Sequence, residues 1–260
     1  MNGDRADYPS LMELTVIGAG PAYSDRRGAA GASYLVGAAG AHLVLDLGQG
    51  AFPNLASTLE PSRLLAILVS HLHPDHFIDL VPLRHYLRYE FDPPRRARVL
   101  GPAGLGDRLD ALHGLPGFAA ASLDVAPLSP GLMEIWPFAV ETRRVTHTEE
   151  SYAFRVSLLD PPGPGLVYSG DCGRADELIA LIRSGDTLLA EASFGAGTVP
   201  SGAEHLTAAE AARAAASGGA ARLILTHIQM GYSRADALAA AESAFSGPVQ
   251  LVTEGDRFDV

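Results

Sequence analysis

His71-Leu72-His73-Pro74-Asp75-His76 follows directly on the apolar run Leu64-Leu65-Ala66-Ile67-Leu68-Val69-Ser70. Three imidazoles and a carboxylate within six positions, placed where a buried strand stops, form a dense ligand set for divalent metal, enough for two ions. The plain alternative is a histidine-rich surface loop. It loses ground because other histidines and acids recur at the same structural place along the chain.

Val140-Glu141-Thr142-Arg143-Arg144-Val145-Thr146 is strand-like and ends at His147. Leu166-Val167-Tyr168-Ser169-Gly170 ends at Asp171, and Arg222-Leu223-Ile224-Leu225-Thr226 ends at His227. With the hexapeptide, four strands each deliver a metal-capable side chain just past the C-terminal end, where α/β proteins build their sites. A lone histidine at a strand end is more often structural. Four such positions point to one centre.

Apolar periodicity places further strands at 14–17, 33–36, 43–47, 66–70, 187–191 and 249–252, with two or three antiparallel strands within 132–159. Helices are expected at about 52–59, 77–89, 175–183, 207–217 and 235–245. Thr207 and Glu210 at the head of the fourth form a capping box. The pattern reads as one α/β domain over 12–260, sheets inside and helices outside, after a loose leader at 1–11.

The net charge is −11, and all 19 basic residues are arginine. So acidic a chain is a poor charge-driven binder of RNA or DNA, and no general nucleic-acid affinity is expected. No apolar run approaches the ~20 residues that cross a bilayer, so no membrane partner is expected. Cys172 is the single cysteine, which rules out an internal disulfide and fits a reducing cytoplasm. Arg84, Arg88, Arg95, Arg96 and Arg98 cluster after the hexapeptide. A solvated helix face with a loop is the plain reading, and an anionic-substrate patch the sharper one.

In the order His71-Leu72-His73-Pro74-Asp75-His76, His147, Asp171, His227, the chain resembles the metallo-β-lactamase superfamily over nearly its whole length. The resemblance implies an αββα four-layer sandwich, two mixed sheets flanked by helices. It implies two divalent metal ions, zinc first and manganese or iron as other fits. His71, His73 and His147 would hold one ion, Asp75, His76 and His227 the other, with Asp171 and a hydroxide shared between them. Asp46 in Leu43-Val44-Leu45-Asp46 matches a family position beside the site.

Tyr168-Ser169-Gly170-Asp171, Glu191-Ala192-Ser193-Phe194 and His205-Leu206-Thr207-Ala208-Ala209-Glu210 further resemble the second half of ribonuclease Z and related phosphodiesterases. By that resemblance His205 assists the phosphodiester chemistry beside Asp75, and Glu191 is a candidate to orient it. Two departures count against transfer-RNA maturation. Only 23 residues separate His147 from Asp171 (171 − 147 − 1), too few for that enzyme's RNA-gripping arm, and the turn Gly18-Ala19-Gly20-Pro21-Ala22-Tyr23 differs from its usual loop. The expected activity is hydrolysis of a small anionic phosphodiester such as a cyclic nucleotide. A ribonuclease Z-like endonuclease and a lactone, thioester or β-lactam hydrolase are the alternatives, and a homodimer is expected from the resemblance alone.

Overall fold

The computed structural model describes residues 12–260, so the expected leader at 1–11 lies outside the described residues. The first half builds β1 (Glu13–Gly18), β2 (Ser33–Ala38), β3 (Ala41–Leu45), α1 (Ala51–Thr58), β4 (Ala66–Leu68), α2 (Pro74–Phe77), α3 (Leu80–Tyr89), β5 (Ala97–Gly101), α4 (Leu105–His113) and β6 (Leu123–Pro127). The second half builds β7 (Gly131–Ile135), β8 (Phe138–Arg144), β9 (Tyr152–Leu158), β10 (Leu166–Tyr168), α5 (Ala175–Ile179), β11 (Thr187–Glu191), α6 (Ala208–Gly218), β12 (Arg222–Thr226), α7 (Arg234–Glu242), β13 (Val249–Leu251) and β14 (Arg257–Asp259).

These strands form two seven-stranded mixed sheets, ordered β14-β1-β2-β3-β4-β5-β6 and β13-β12-β11-β10-β9-β8-β7. In each, an antiparallel half meets a parallel half, the change falling at β3 in the first sheet and at β10 in the second. The last strand, β14, returns to pair with β1, so the chain's end closes the first sheet.

Period-two alternation explains the layering. Leu43, Leu45, Leu68, Phe154, Tyr168, Leu189 and Ile224 point between the sheets and form one buried cluster. Their neighbours Val44 and Ile67 point outward, against Leu55 of α1, Leu83 and Leu87 of α3 and Leu109 of α4. On the opposite side Val167, Leu188, Ala190 and Leu225 meet Leu178 of α5, Ala211 and Ala215 of α6 and Ala237 of α7. The result is the expected four layers, helix, sheet, sheet, helix. Alanine suits α6 because a small side chain lets the helix lie close to the sheet. Its start is fixed by the expected capping box, with Thr207 Oγ1 accepting from Glu210 N and Glu210 carboxylate accepting from Thr207 N.

Several elements depart from expectation. The helix expected over 77–89 begins only at Leu80 as α3, after the separate short α2, and α5 stops at Ile179. The pair β5 and β6, the helix α4 and the closing β14 carry no strong periodic signal and were not expected. Among the described residues, no helix is long and apolar enough to cross a membrane.

Candidate metal centre

Every expected ligand lies at the C-terminal ends of the strands. His227 directly follows β12, whereas His71, His147 and Asp171 each stand three residues past β4, β8 and β10. Two residues past β4 and β8, carboxylates take the backbone donors. Ser70 N–H donates to Asp46 Oδ1 at 2.6 Å, and Thr146 N–H to Glu177 Oε2 at 2.7 Å. After β10 the left-handed Gly170 (φ 56°) turns the chain, where a Cβ would meet Ser70 and the Tyr152 carbonyl.

Two groups of side chains converge there, sharing Asp171. The first is His71, His73, His147 and Asp171, and the second Asp75, His76, Asp171 and His227. In the first, His73 Nδ1 lies 3.0 Å from His71 Nε2 and 3.1 Å from His147 Nε2. Asp171 Oδ2 is 3.7 and 3.6 Å from those two Nε2 atoms. In the second, His227 Nε2 lies 3.3 Å from His76 Nε2 and 3.1 Å from Asp75 Oδ2. Asp171 Oδ1 stands 3.3 Å from His76 Nε2 and 3.6 Å from His227 Nε2. One carboxylate thus presents one oxygen to each group.

The donor chemistry fits divalent cations. Ligand atoms bound at ~2.0–2.1 Å around a tetrahedral ion stand about this far apart. Asp171 Oδ1 is buried and accepts no hydrogen bond, a costly state for a carboxylate oxygen unless a cation faces it. Burial holds the His71 imidazole well below its ordinary pKa, reinforced by His76, so it stays neutral as a ligand must. Burial pushes Asp171 up, but His227 and His76 prevail and hold it well below the carboxylate range.

A ring of supporting groups fixes which ring nitrogen faces the centre. His76 Nδ1 meets Asp46 Oδ2 at 2.7 Å, His147 Nδ1 meets the Glu204 carbonyl at 2.7 Å, and His227 Nδ1 meets Ser193 Oγ at 3.1 Å. With Nδ1 as the donor, the Nε2 lone pair is left for a metal. Asp46 also accepts from Ser70 Oγ at 2.7 Å and Tyr168 OH at 2.6 Å. Asp46 and His227 both hold φ 58°, a conformation costing non-glycine residues roughly 1–3 kcal/mol and typical of functional sites.

His205 and Glu191 form a third group with Asp171. His205 Nδ1 lies 3.0 Å from Glu191 Oε1 and 3.8 Å from Asp171 Oδ2. Glu191 is buried and also accepts from Cys172 N, Ser193 N and Ser193 Oγ. Burial pushes the His205 imidazole down, but the bonded Glu191 carboxylate and then Asp171 raise it to about 9. Among the described residues no hydrogen bond engages His205 Nε2. Ser193, Ser70 and Tyr168 went unnoticed in the sequence as supporting groups, since single hydroxyls follow no spacing rule.

The arginine cluster divides. Arg84 is buried, contrary to a solvated face. Its Nε donates to the Phe118 carbonyl at 2.9 Å and its guanidinium lies 4.3 Å from the Phe118 ring centre. Arg95 pairs with Glu60 and Arg96 with Asp124, so neither is free for an anion.

Comparison with known proteins agrees with this geometry. The profile of the beta-lactamase superfamily domain matches residues 44–228, most of the chain. The chain belongs to that superfamily. An uncharacterized protein of Mycobacterium leprae (strain TN) is 36% identical over 84% of this chain and 78% of that one. A ribonuclease Z of Bradyrhizobium sp. (strain ORS 278) is 29% identical over 87% of this chain and 92% of its own. Among solved structures, the metallo-beta-lactamase fold protein YhfI of Bacillus subtilis superposes with TM-score 0.85 at 23% identity, covering 97% of this chain and all of YhfI. A diphosphatase of the PhnP family superposes with TM-score 0.74 at 17% identity, covering 96% and 98%. The superfamily member described here is a metallo-β-lactamase-fold hydrolase, a class that works with divalent metal ions.

Proposed function

We propose that the protein is a phosphodiesterase acting on a small anionic diester, a cyclic nucleotide being the type of substrate meant. The observation that carries this reading is the His205–Glu191 pair beside both metal-ligand groups. Carbonyl hydrolysis develops its negative charge only on the way to the oxyanion. A phosphodiester carries its charge throughout, and an imidazolium facing the site suits it better.

Two divalent ions, zinc being the first choice for this nitrogen-rich set, would supply an acidified water and neutralise charge on the phosphoryl oxygens. His71, His73 and His147 would hold one, Asp75, His76 and His227 the other, and Asp171 both. Asp75 orients the attacking water and accepts its proton. His205, whose protonated form Glu191 stabilises, donates to a phosphoryl oxygen and then to the leaving oxygen. Its Nδ1 is committed to Glu191, so Nε2 makes the transfer.

The substrate is small because the stretch from His147 to Asp171 contains little beyond β9, which is paired along its length with β8 and over Phe154–Val156 with β10. That leaves no segment to serve as an RNA-gripping arm. The test is a substrate panel on the metal-reconstituted protein. Bis(4-nitrophenyl) phosphate should be turned over well above nitrocefin, 4-nitrophenyl acetate and a homoserine lactone. A reversed order would assign the protein to carbonyl hydrolysis.

A further inference from the structure

Beside the metal centre lies a cavity of about 380 Å³, lined by His73 and by residues that no step above employs. It runs between the loop after β5 and the loop after β8. Leu72 and Pro102 give it an apolar side; Arg108 of α4, Glu149 and Glu150 give it a polar one. Because His73 belongs to both, a group seated in the cavity adjoins whatever is bound at the metals.

The charges there are not all committed. Glu150 Oε2 accepts from Ala103 N at 2.8 Å and its Oε1 from Arg144 Nη2 at 2.6 Å. Among the described residues, neither the Arg108 guanidinium nor the Glu149 carboxylate has a hydrogen-bond or ion-pair partner, and both are exposed at the cavity. One free cation and one free anion decide against a second phosphate. What such a group gained from Arg108 it would lose to Glu149.

A neutral group with a flat face and hydroxyl donors satisfies all three surfaces. An aromatic base can lie on Leu72 and Pro102 with the guanidinium against its face. A sugar hydroxyl can donate to Glu149, as acidic residues do for ribose elsewhere. The volume is at the small end for ligand pockets, about 300–1,000 Å³, room for one nucleoside and not for an oligonucleotide.

We infer that this cavity is the nucleoside subsite of the enzyme, with Arg108 and Glu149 as its specificity-determining residues. The inference rests on the phosphodiesterase reading and narrows it to diesters of a single ribonucleoside.

The experiment compares 3′,5′-cyclic AMP, its 2′-deoxy analogue and methyl 4-nitrophenyl phosphate on wild type, Arg108→Ala and Glu149→Gln, all metal-reconstituted. Each substitution should lower the kcat/KM preference for cyclic AMP over the methyl ester about tenfold, the size of one charge-assisted contact, through KM and not kcat. Glu149→Gln should also erase the preference for the 2′-hydroxyl. Unaltered preferences in enzymes that hydrolyse both diesters would overturn the subsite and leave the phosphodiesterase reading standing. Calorimetric binding of cyclic AMP to the same proteins covers the other case. If neither diester is hydrolysed, binding that Arg108→Ala weakens keeps the subsite and removes the chemistry, and absence of binding removes both.

Discussion

Asp46 Oδ2 meets His76 Nδ1 at 2.7 Å, both side chains wholly buried, and Asp46 gathers Ser70 and Tyr168 around the same carboxylate. This pair ties the first sheet to the centre. Asp46 directly follows β3, and its left-handed backbone turns the carboxylate toward His76.

Asp46→Ala should therefore harm the second metal-ligand group before the first. Loss of a carboxylate behind a ligating histidine typically weakens metal about 10–100-fold. Competition with a chromophoric chelator should show one equivalent weakened by that amount and the other nearly unchanged. Equal weakening of both, or none, would contradict the assignment of His76. The substitution also strands several buried donors and should destabilise the metal-free protein by about 3 kcal/mol or more.

Gly48→Ala should damage the centre without touching a ligand. A Cβ at Gly48 collides with the Asp75 carbonyl oxygen and lies 2.8 Å from the Gly31 carbonyl carbon. Both neighbours are backbone, so Asp75 must move. We expect a loss of about 2 kcal/mol or more in stability together with reduced metal content by elemental analysis. A variant with wild-type stability and two bound metals would show that the turn yields freely.

The Glu191–His205 pair has a pH signature in the metal-free protein. His205 is raised from an ordinary 6.5 to about 9, chiefly by Glu191 against the effect of burial. The folded state thus holds this proton more tightly than the unfolded chain. Its contribution to stability is fully present below pH 6.5 and is lost as pH rises through about 9. Glu191→Gln should flatten the fall in urea-unfolding free energy over that window. It should not abolish it, because His76 and His227 are also raised. Superimposable pH dependences would separate Glu191 from His205.

Asp75→Ala should remove most diesterase turnover, by about 100-fold or more, while circular dichroism and the midpoint of metal-free unfolding stay close to wild type. Its side chain is buried, but among the described residues its carboxylate has one hydrogen-bond partner, His227. Near-normal turnover with the metals in place would assign the water to another group.

The hexapeptide and the strand-end positions of His147, Asp171 and His227 made the centre legible from the sequence, because metal ligation demands particular side chains at particular offsets. Asp46, Glu191 and His205 are marked instead by the family resemblance of the segments that carry them. Ser193 could not be marked, although it touches both His205 and His227, because a hydroxyl's role depends on which partners the fold brings to it. Arg84 misled for a related reason. Its charge is buried under Phe118, a neighbour 34 positions away. The closing strand β14 was also hidden, since its partner β1 lies at the other end of the chain.

The most direct test of the account is the turnover of bis(4-nitrophenyl) phosphate by metal-reconstituted wild type and His205→Ala, with metal content measured on the same samples. We expect both proteins to hold two metal ions and the variant to fall by about 100-fold in kcat, the scale of a lost general acid. A variant as active as wild type, or a fully loaded wild type with no turnover, would contradict it.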